Sequence, residues 1–383
     1  MKLIFIAERY PPDLGGVATS AGRISHALAG LGAQVDVIAW TRTLQSGIVE
    51  EEHVADDLRV FRMGRFREWD STLPHTMNLV DWLTSTMNYD AVWGHYLAPA
   101  GFAAAWIGKR KGIASTVSIR GNDLDRDMFP PGDFARLEWT LRHASIITAV
   151  TTELAAKVHA LTGRKDVVYL RNSVDAAVFQ PCAVPPELRP RLGIREGEAV
   201  LGFAGELREK KGLQFLLQAL REVREKRPAC LLVIGEVRPS EVVRVMQALG
   251  PGTLEDNRVL VTGQLATPAE VNQHLQLCDV YLQPSLWDGM PNALLEAMAA
   301  GCGCIGSDAG GIPEIIESEK SGLIVPRWKL NRLSKAILGW LNTPEGTRQR
   351  MRVVARDRVA SEFTFARERE DLAALMQALH RHG

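Results

Sequence analysis

The sequence predicts an α/β protein made of two domains, each built on a doubly wound parallel β-sheet. The chain has 383 residues, more than one hydrophobic core usually serves. Short apolar runs alternate with helical patterns in both halves, and a polar, then proline-rich stretch separates the halves as a linker would. We therefore expect a first domain over 1–175, a linker over 176–195 and a second domain over 196–360. A C-terminal helix over 361–383 is expected to pack back on the first domain.

The first domain opens with a strand–helix–strand unit. An apolar run over 3–7 predicts a strand, a helical pattern follows over 17–31, and 35–39 predicts a second strand. This order is the right-handed βαβ unit of a parallel sheet. Gly15 and Gly16 precede the helix, where glycines let a ligand approach the backbone. Their spacing lacks the G-x-G-x-x-G pattern of a dinucleotide site.

Residues 42–90 carry a weaker pattern. A short strand is predicted over 59–63, and between 62 and 87 arginines alternate with aromatic and other apolar residues. A basic and aromatic stretch of this kind is typical of a segment that lies on an anionic membrane surface. An ordinary amphipathic segment packed on the first domain has the same composition, and we favour that interpretation.

His95 and Arg120 stand where predicted strands end. Apolar runs predict strands over 91–95 and 115–119. Ligands of parallel sheets bind at the carboxyl ends of the strands, so both residues are candidates for a catalytic site. A purely structural role is the alternative for His95.

The second domain begins with the same pattern as the first. A strand is predicted over 199–204, and a charged loop with Arg208 and Lys211 leads into a helix. Cations at a helix start can neutralise a bound diphosphate. The acids Glu206 and Glu209 lie in the same loop, so a solvated run of charges is the alternative.

The most informative stretch follows the strand predicted over 280–282. The chain turns at 288–289 and then enters a helix that has Pro291 near its first position and Gly301 as its stop. The free N–H groups and the positive dipole end of this helix suit a phosphate or another anion.

Two acids have a fixed relation to the start of this helix. Asp288 lies in the turn, and Glu296 comes eight residues later on the same side as Asn292. A carboxylate close to a phosphate would repel it, so we expect both acids to bind hydroxyl groups. Phosphate on the amides and hydroxyls on the acids together describe a sugar nucleotide. Alternatively, Asp288 caps the helix and Glu296 is a surface acid, although Glu296 stands among apolar residues, where a glutamate usually has a partner.

Charge and cysteine content set further limits. Lys and Arg number 45, as do Asp and Glu, so net charge gives no reason to expect nucleic-acid binding. The five cysteines lack the spacing of a zinc site, and we expect them to be buried and reduced. The first apolar run is too short for a signal peptide, and no window approaches the ~20 apolar residues of a membrane span. These features predict a cytoplasmic protein, with peripheral contact at the inner membrane face through 62–87 as an open alternative.

The chain resembles the retaining glycosyltransferases of family 4. Asp288-x7-Glu296 is similar to the E-x7-E signature of that family, and further matching stretches are Gly205 with Lys211-Gly212, residues 310–314, residues 172–175 and the loop 11–16. The resemblance covers essentially the whole chain. It implies the GT-B fold, in which two Rossmann-like domains face each other across a cleft. It also implies sugar transfer with retention from a UDP-, GDP- or ADP-sugar to a hydroxyl of a saccharide, lipid-linked or small-molecule acceptor, with no metal needed for the chemistry.

The resemblance also implies roles for individual residues. Lys211 would hold the donor diphosphate, Glu296 the ribose hydroxyls and Asp288 the transferred sugar. The amides of Gly289 and Met290 would assist. Gly15, Gly16 and Asn292 would complete the binding residues.

Three positions depart from the family pattern. Glu206 replaces a usual arginine, so the second cation would come from Arg208 or elsewhere. Asp288 is one methylene shorter than the commoner glutamate. Arg120 replaces a frequent histidine, and the loop Arg120-Gly121-Asn122-Asp123 is then expected to bind an anionic group or the acceptor.

Two other classes of function compete with glycosyl transfer. The first is a second enzyme class, a sugar-nucleotide epimerase or a glycosyl phosphorylase of the same fold, and the second is a non-catalytic protein. A sugar-nucleotide epimerase of the same fold would convert the donor with no acceptor present. A non-catalytic two-domain sugar-binding protein would bind sugar without consuming the donor, and such proteins are usually exported.

Overall fold

The computed structural model describes residues 1–13, 15–121, 123–126 and 128–382. They form two units: unit 1 contains Met1–Arg171 and Ala366–Gly383, and unit 2 contains Asn172–Phe365. The segment predicted as a linker, 176–195, therefore lies within unit 2.

Unit 1 is built on an eight-stranded sheet of order β3-β4-β2-β1-β5-β6-β7-β8. The strands are β1 Lys2–Ala7, β2 Gln34–Thr41, β3 Val49–Ala55, β4 Leu58–Gly64, β5 Ala91–His95, β6 Ala114–Ile119, β7 Ile146–Ala149 and β8 Val168–Tyr169. All pairs are parallel except β3 with β4. The central strands are buried almost throughout, because helices cover both faces of the sheet.

Helices pack an apolar core on each face of this sheet. They are α1 Gly16–Ala29, α2 Trp69–Thr86, α3 Phe102–Lys111, α4 Asp123–Arg126, α5 Pro131–His143 and α6 Thr152–Thr162, with a π-helical turn over Leu97–Gly101. The C-terminal helix Phe365–His382 adds Leu372, Leu375 and Leu379 to the core that contains Leu3 and Phe5.

The segment 42–90 differs from its weak sequence pattern in two ways. Strand β3 was not predicted, because all its residues are exposed and include three consecutive glutamates, so no apolar alternation marks it. Helix α2 buries Val80 and Leu83 against the sheet, and the ring of Trp69 lies 5.0 Å from that of Trp40. Packing of 62–87 on unit 1, the interpretation favoured above, is what the structure shows.

Unit 2 has a six-stranded parallel sheet of order β11-β10-β9-β12-β13-β14. Its strands are β9 Ala199–Ala204, β10 Ala229–Ile234, β11 Val259–Val261, β12 Val280–Gln283, β13 Cys304–Ser307 and β14 Leu323–Val325. Its helices are α7 Leu188–Arg191, α8 Leu213–Arg224, α9 Pro239–Leu249, α10 Pro268–Leu275, α11 Asn292–Ala299, α12 Ile312–Ile315, α13 Leu333–Asn342 and α14 Glu345–Glu362, so that the C-terminal helix of unit 1 is α15. Two 3₁₀ segments, Glu209–Lys211 and Arg327–Arg332, complete the unit.

Strand order reverses in the middle of each sheet. In unit 1 strand β1 lies between β2 and β5, and in unit 2 strand β9 lies between β10 and β12. At such a switch point the loops after neighbouring strands diverge and leave a crevice at the carboxyl ends. The loops after β1, β5, β9 and β12 are therefore the places to look for a site.

The cysteines follow the expectation with one exception. Cys230, Cys278, Cys302 and Cys304 are buried thiols, whereas Cys182 is exposed. Among the described residues, no helix combines the length and apolarity that a membrane span requires.

Candidate functional site

A buried chain of hydrogen bonds holds Asp288 in the loop after β12. The Tyr281 hydroxyl donates to Gln283 Oε1 over 2.8 Å, and Gln283 Nε2 donates to Ser285 Oγ over 3.0 Å. Ser285 Oγ in turn donates to Asp288 Oδ2 over 3.1 Å. The Gly289 amide donates to Asp288 Oδ1 over 3.1 Å. These contacts fix the carboxylate in one orientation before any ligand arrives.

Lys211 forms an ion pair with this carboxylate. Its Nζ lies 2.5 Å from Asp288 Oδ2, and the two side chains are 20% and 11% exposed. Burial alone would raise the pKa of Asp288, but the charge and hydrogen bond of Lys211 outweigh burial and lower it. Asp288 is thus a largely buried, ionised carboxylate. The N-cap residue of α11 is Pro291, and the backbone amide that donates to Asp288 Oδ1 is that of Gly289, before the helix. Asp288 therefore does not take the alternative role of a cap for α11.

Further cations surround the pair. Lys210 is half-buried, and burial, with the charges of Lys211, Arg208 and Arg238, lowers its pKa to about 8 despite the attraction of Asp288. Glu206 Oε2 lies 2.8 Å from Arg238 Nη2 and 3.4 Å from Arg208 Nη1. Arg238 and Arg208 thus share the acid that stands in place of the family's arginine.

The second acid of this loop has its own partner. Glu209 pairs with Arg244 over 2.8 Å. The alternative of a solvated charge run fits Glu209 and Arg244, which are both exposed. That alternative does not fit Lys211, which is half-buried and pairs with the largely buried Asp288.

Two glycines bring the loops of this site into backbone contact. A Cβ on Gly212, whose φ is +85°, would lie 2.0 Å from the Pro284 carbonyl oxygen. A Cβ on Gly310, whose φ is +50°, would lie 2.0 Å from the Asp288 carbonyl oxygen. Only glycine fits either position. The turn with Lys211 and the loop 310–314 therefore both pack directly against the backbone of the segment 284–288.

Helix α11 places the remaining predicted residues of unit 2. Asn292 is its first residue, and the buried Asn292 Oδ1 has no hydrogen-bond donor among the described residues. Glu296 is half-buried one turn later. Met290 is buried, and its carbonyl oxygen accepts a 2.6 Å hydrogen bond from Asn172 Nδ2.

In unit 1, His95 ends β5 as predicted, but its ring is fully buried. Its Nε2 lies 2.9 Å from Ser20 Oγ, and Ser20 donates to the Val17 carbonyl in the first turn of α1. Burial, reinforced by the charges of Arg120 and Arg23, holds the pKa of His95 well below its usual range. The neutral ring therefore supports the start of α1, and a direct catalytic role stays a prediction.

Arg120 follows β6 and is buried as well. Burial and the like charge of Arg23 lower its pKa to about 10, against the attraction of Glu368 and Asp123. Asp123 accepts hydrogen bonds from the amides of Leu97, Arg120 and Gly121 over 3.0, 3.2 and 2.9 Å. Asn122, which belongs to the loop expected to bind an anion, lies outside the described residues.

The glycines before α1 are placed as the sequence predicts. Gly15 is the N-cap residue of α1 with φ +110°, and a Cβ there would meet no atom within 4 Å. Gly16 is the first residue of the helix. The backbone at Gly15 therefore borders open space at the carboxyl end of the unit 1 sheet.

Sequence reasoning missed Gln283, Ser285 and Lys210. Gln283 and Ser285 are polar residues at the end of an otherwise apolar strand, and that change of polarity is a signal for a strand-end site. Lys210 is adjacent to Lys211, and only burial distinguishes it from a surface lysine. Across the described parts of the chain, no group of three or more His, Cys, Asp or Glu side chains has the arrangement of a metal site.

Comparison with known proteins gives two family matches. Residues 198–343 match "Glycosyl transferases group 1", and residues 15–173 match "Glycosyl transferase 4-like domain". The chain is 30% identical over 242 residues to an N-acetyl-alpha-D-glucosaminyl L-malate synthase from Bacillus anthracis, covering 62% of this chain and 61% of the relative. It is 28% identical over 218 residues to a D-inositol 3-phosphate glycosyltransferase from Segniliparus rotundus, covering 55% and 46%. The matched part thus spans about half to three fifths of the length of these relatives.

Solved structures agree on the fold. A sucrose-phosphate synthase from Thermosynechococcus elongatus superposes with a TM-score of 0.80 at 18% identity, over 99% of this chain and 98% of that one. The Anabaena protein HepE, in a complex with UDP and glucose, superposes with a TM-score of 0.78 at 18% identity, over 98% and 99%. At this identity the likeness shows the fold alone. With its two family matches, one in each unit, the chain belongs to the group 1 glycosyl transferases, the family 4 glycosyltransferases of GT-B fold.

Proposed function

We propose that the protein is a retaining glycosyltransferase that moves a sugar from a nucleoside-diphosphate sugar to a hydroxyl group of an acceptor. The observation that carries the proposal is the partly buried Lys211–Asp288 ion pair at the switch point of the unit 2 sheet, directly before α11. A cation for phosphate and an acid for hydroxyls stand side by side there, as a sugar diphosphate requires.

The donor diphosphate takes the cations of this site. Lys211, Lys210 and Arg208 supply positive charge, and the amides of Gly289 and Met290 lie at the N-terminal end of α11, where anions are favoured. An arriving diphosphate competes with Asp288 for Lys211. Asp288 then accepts from hydroxyls of the transferred sugar.

Helix α11 provides the other polar contacts. Asn292 Oδ1 is a buried acceptor with no donor among the described residues, and such an atom costs free energy unless a ligand supplies a donor. A sugar hydroxyl can donate a hydrogen bond to Asn292 Oδ1. Glu296, one turn further, binds the ribose hydroxyls.

During sugar transfer, negative charge develops on the departing nucleoside diphosphate. The bond between the anomeric carbon and the diphosphate oxygen breaks, and the acceptor oxygen bonds to that carbon on the same face while its proton passes to the departing diphosphate. Lys211, Lys210 and Arg208 stabilise the growing negative charge from fixed positions, and we assign this task to them rather than to a metal ion. Asp288 is engaged by Lys211 and Ser285 and is not assigned as a nucleophile.

Unit 1 serves the acceptor in this proposal. His95 holds the first turn of α1 through Ser20, and thereby positions Gly15 and Gly16. Arg120 and its loop lie at the carboxyl end of β6, at the same edge of the sheet. The names of the two relatives describe action on malate and on an inositol phosphate, so acceptors differ widely within the family.

A thermal-shift screen of UDP-, GDP- and ADP-glucose tests the donor class, starting from UDP-glucose because HepE was solved with UDP and glucose. The nucleotide of the true donor should raise the melting temperature in proportion to ln(1 + [L]/Kd). Lys211→Ala and Glu296→Ala should each reduce this stabilisation and sugar transfer. The exposed Lys335→Ala and Glu225→Ala are the matched controls.

Near wild-type transfer in both site variants would refute the assignment. Conversion of the donor sugar without any acceptor would favour the epimerase. Donor binding without consumption, with acceptors supplied, would favour the sugar-binding protein.

A further inference from the structure

Arginines gather at the carboxyl edge of the unit 1 sheet. Arg9 follows β1, Arg42 follows β2 and Arg65 follows β4, and these three parallel strands are neighbours in the sheet. The register pairs Ala7 with Ala39 and Thr41 with Gly64. Together with Arg126 of α4 these residues are called the arginine edge.

Two of these arginines lie against aromatic rings. The guanidinium carbon of Arg65 is 5.4 Å from the ring centre of Trp69, and that of Arg126 is 5.9 Å from the ring centre of Tyr96. Such contacts limit side-chain motion and leave the N–H groups at the rim of the guanidinium plane able to donate. Tyr96 itself directly follows β5 with φ +89°, a strained backbone conformation of the kind that clusters at functional sites.

Ion pairing sets Arg42 and Arg65 apart from other arginines of unit 1. Arg59 pairs with Asp36, Arg62 with Glu52 and Arg110 with Asp81. Within the described part of the chain, neither Arg42 nor Arg65 lies within 4.0 Å of a carboxylate oxygen. A ligand anion can therefore become the partner of Arg42 and Arg65.

Glu8 lies among these arginines. It follows β1 directly, and burial raises its pKa while the charges of Arg126, Arg9, Arg65 and Arg42 lower it. The half-buried Glu8 carboxylate thus interacts with four guanidinium groups, more positive charge than this one acid balances. Guanidinium groups bind phosphate and carboxylate through paired N–H donors.

We propose that the arginine edge binds an anionic group of the acceptor, a phosphate or a carboxylate. This inference rests on the proposed function only in identifying the anionic ligand as the acceptor, because the arginine edge itself lies within unit 1. It narrows the acceptor to molecules that carry both a hydroxyl for transfer and a negative charge several bonds away. Neutral saccharides bind without these arginines and are poorer acceptors.

Direct anion binding tests the site. Titrations of the full chain with inorganic phosphate and with malonate, in the presence of saturating UDP, measure Kd by calorimetry. Arg42→Gln combined with Arg65→Gln should raise the Kd of the preferred anion at least about tenfold, since a hydrogen bond to a charged group contributes that much or more. Arg110→Gln is the matched control, because Arg110 lies near the C-terminal end of α3, away from the carboxyl edge, and pairs with Asp81.

Lys211→Ala separates this inference from the proposed function. The variant should lose UDP binding and keep phosphate or malonate binding. Preference for phosphate assigns a phosphoryl acceptor, and preference for malonate assigns a carboxylate acceptor. If neither anion binds, or if the double variant binds both as the wild type does, the inference is overturned even when UDP binding is normal. Arg42→Lys with Arg65→Lys, which keeps the charge, should recover part of the affinity.

Discussion

Asp288 stays ionised although it is almost enclosed, because the Lys211 cation and three hydrogen-bond donors, from Gln283, Ser285 and Gly289, compensate for the loss of water. A buried carboxylate without such partners would be protonated near neutral pH. The same contacts that keep the charge also hold the side chain in place. At the scale of one residue, the site is therefore charged and rigid before the donor binds.

Replacing Asp288 by Asn should separate nucleotide binding from sugar transfer. The variant loses the acceptor for sugar hydroxyls, so transfer should fall about 10- to 100-fold, the value of one or two charged hydrogen bonds. It also releases Lys211 from its partner, so UDP should bind more tightly. Calorimetry with UDP and a transfer assay measure the two effects, with Glu225→Gln as control. Weaker UDP binding with unchanged transfer would contradict the assignment.

Lys210 predicts a pH dependence of donor binding. Its pKa is lowered to about 8, so the side chain is charged below that pH and becomes neutral above it. A bound diphosphate favours the charged form and raises the pKa, so affinity should be constant below pH 8 and fall above it, by at most about tenfold per pH unit. Calorimetry with UDP from pH 6.5 to 9.5 measures the fall.

The control for Lys210 is Lys210→Arg. Arginine keeps its charge over this pH range, so the decline that Lys210 causes should disappear. An identical decline in the arginine variant would show that another group titrates.

At the scale of elements, the site depends on how closely loops pack. The 3₁₀ turn Glu209–Lys211 ends at Gly212, which lies against the Pro284 carbonyl. The close contact between Gly212 and Pro284 brings the turn near the Asp288 loop, and Lys211 can therefore reach Asp288. The sequence showed the glycine but not its neighbour, since residues 212 and 284 are distant in the chain.

Gly212→Ala should therefore disturb both stability and the ion pair. Positive φ costs an alanine about 1 kcal/mol or more, and a Cβ 2.0 Å from the Pro284 oxygen forces the loops apart. Gly197→Ala is the control, because Gly197 also has positive φ, +71°, and a Cβ there meets nothing within 4 Å. Urea unfolding should show a larger loss for Gly212→Ala, together with weaker UDP binding. Equal losses of unfolding free energy in the two variants would mean that positive φ alone causes the destabilisation.

At the scale of the molecule, unit 1 is assembled from two distant parts of the chain. Helix α15 places Leu372, Leu375 and Leu379 in its core, and Glu368 pairs with Arg23 of α1 with side chains that are 3% and 12% exposed. In unit 2, the segments next to this crossover lie side by side, as the Val174 amide donates to the Phe363 carbonyl over 2.9 Å.

A chain that ends after Phe365 should lose the stability of unit 1. The loss of three buried leucines, at about 2–5 kcal/mol each when truncated, is comparable to the whole stability of a typical domain. A protein lacking residues 366–383 should bind hydrophobic dyes and aggregate near room temperature. A chain that ends after His380 keeps the leucines and should melt like the full protein. A normal melting curve for the shorter chain would show that α15 is dispensable.

The sequence by itself determined the alternation of strands and helices, the glycine-bearing loops and the pair Asp288 and Glu296. These features depend on periodicity and on spacing within one segment. Strand β3 escaped prediction because its exposed glutamates carry no periodicity.

Only the tertiary structure decided which side chains meet. The pairing of Lys211 with Asp288, the lowered pKa of Lys210 and the arginine edge all depend on which strand ends become neighbours. Strand order is set by packing of the whole sheet, and a charge acquires its partner and its burial only when segments far apart in the chain come together. Local patterns therefore predicted where the site lies, while contacts between distant segments determined its electrostatics.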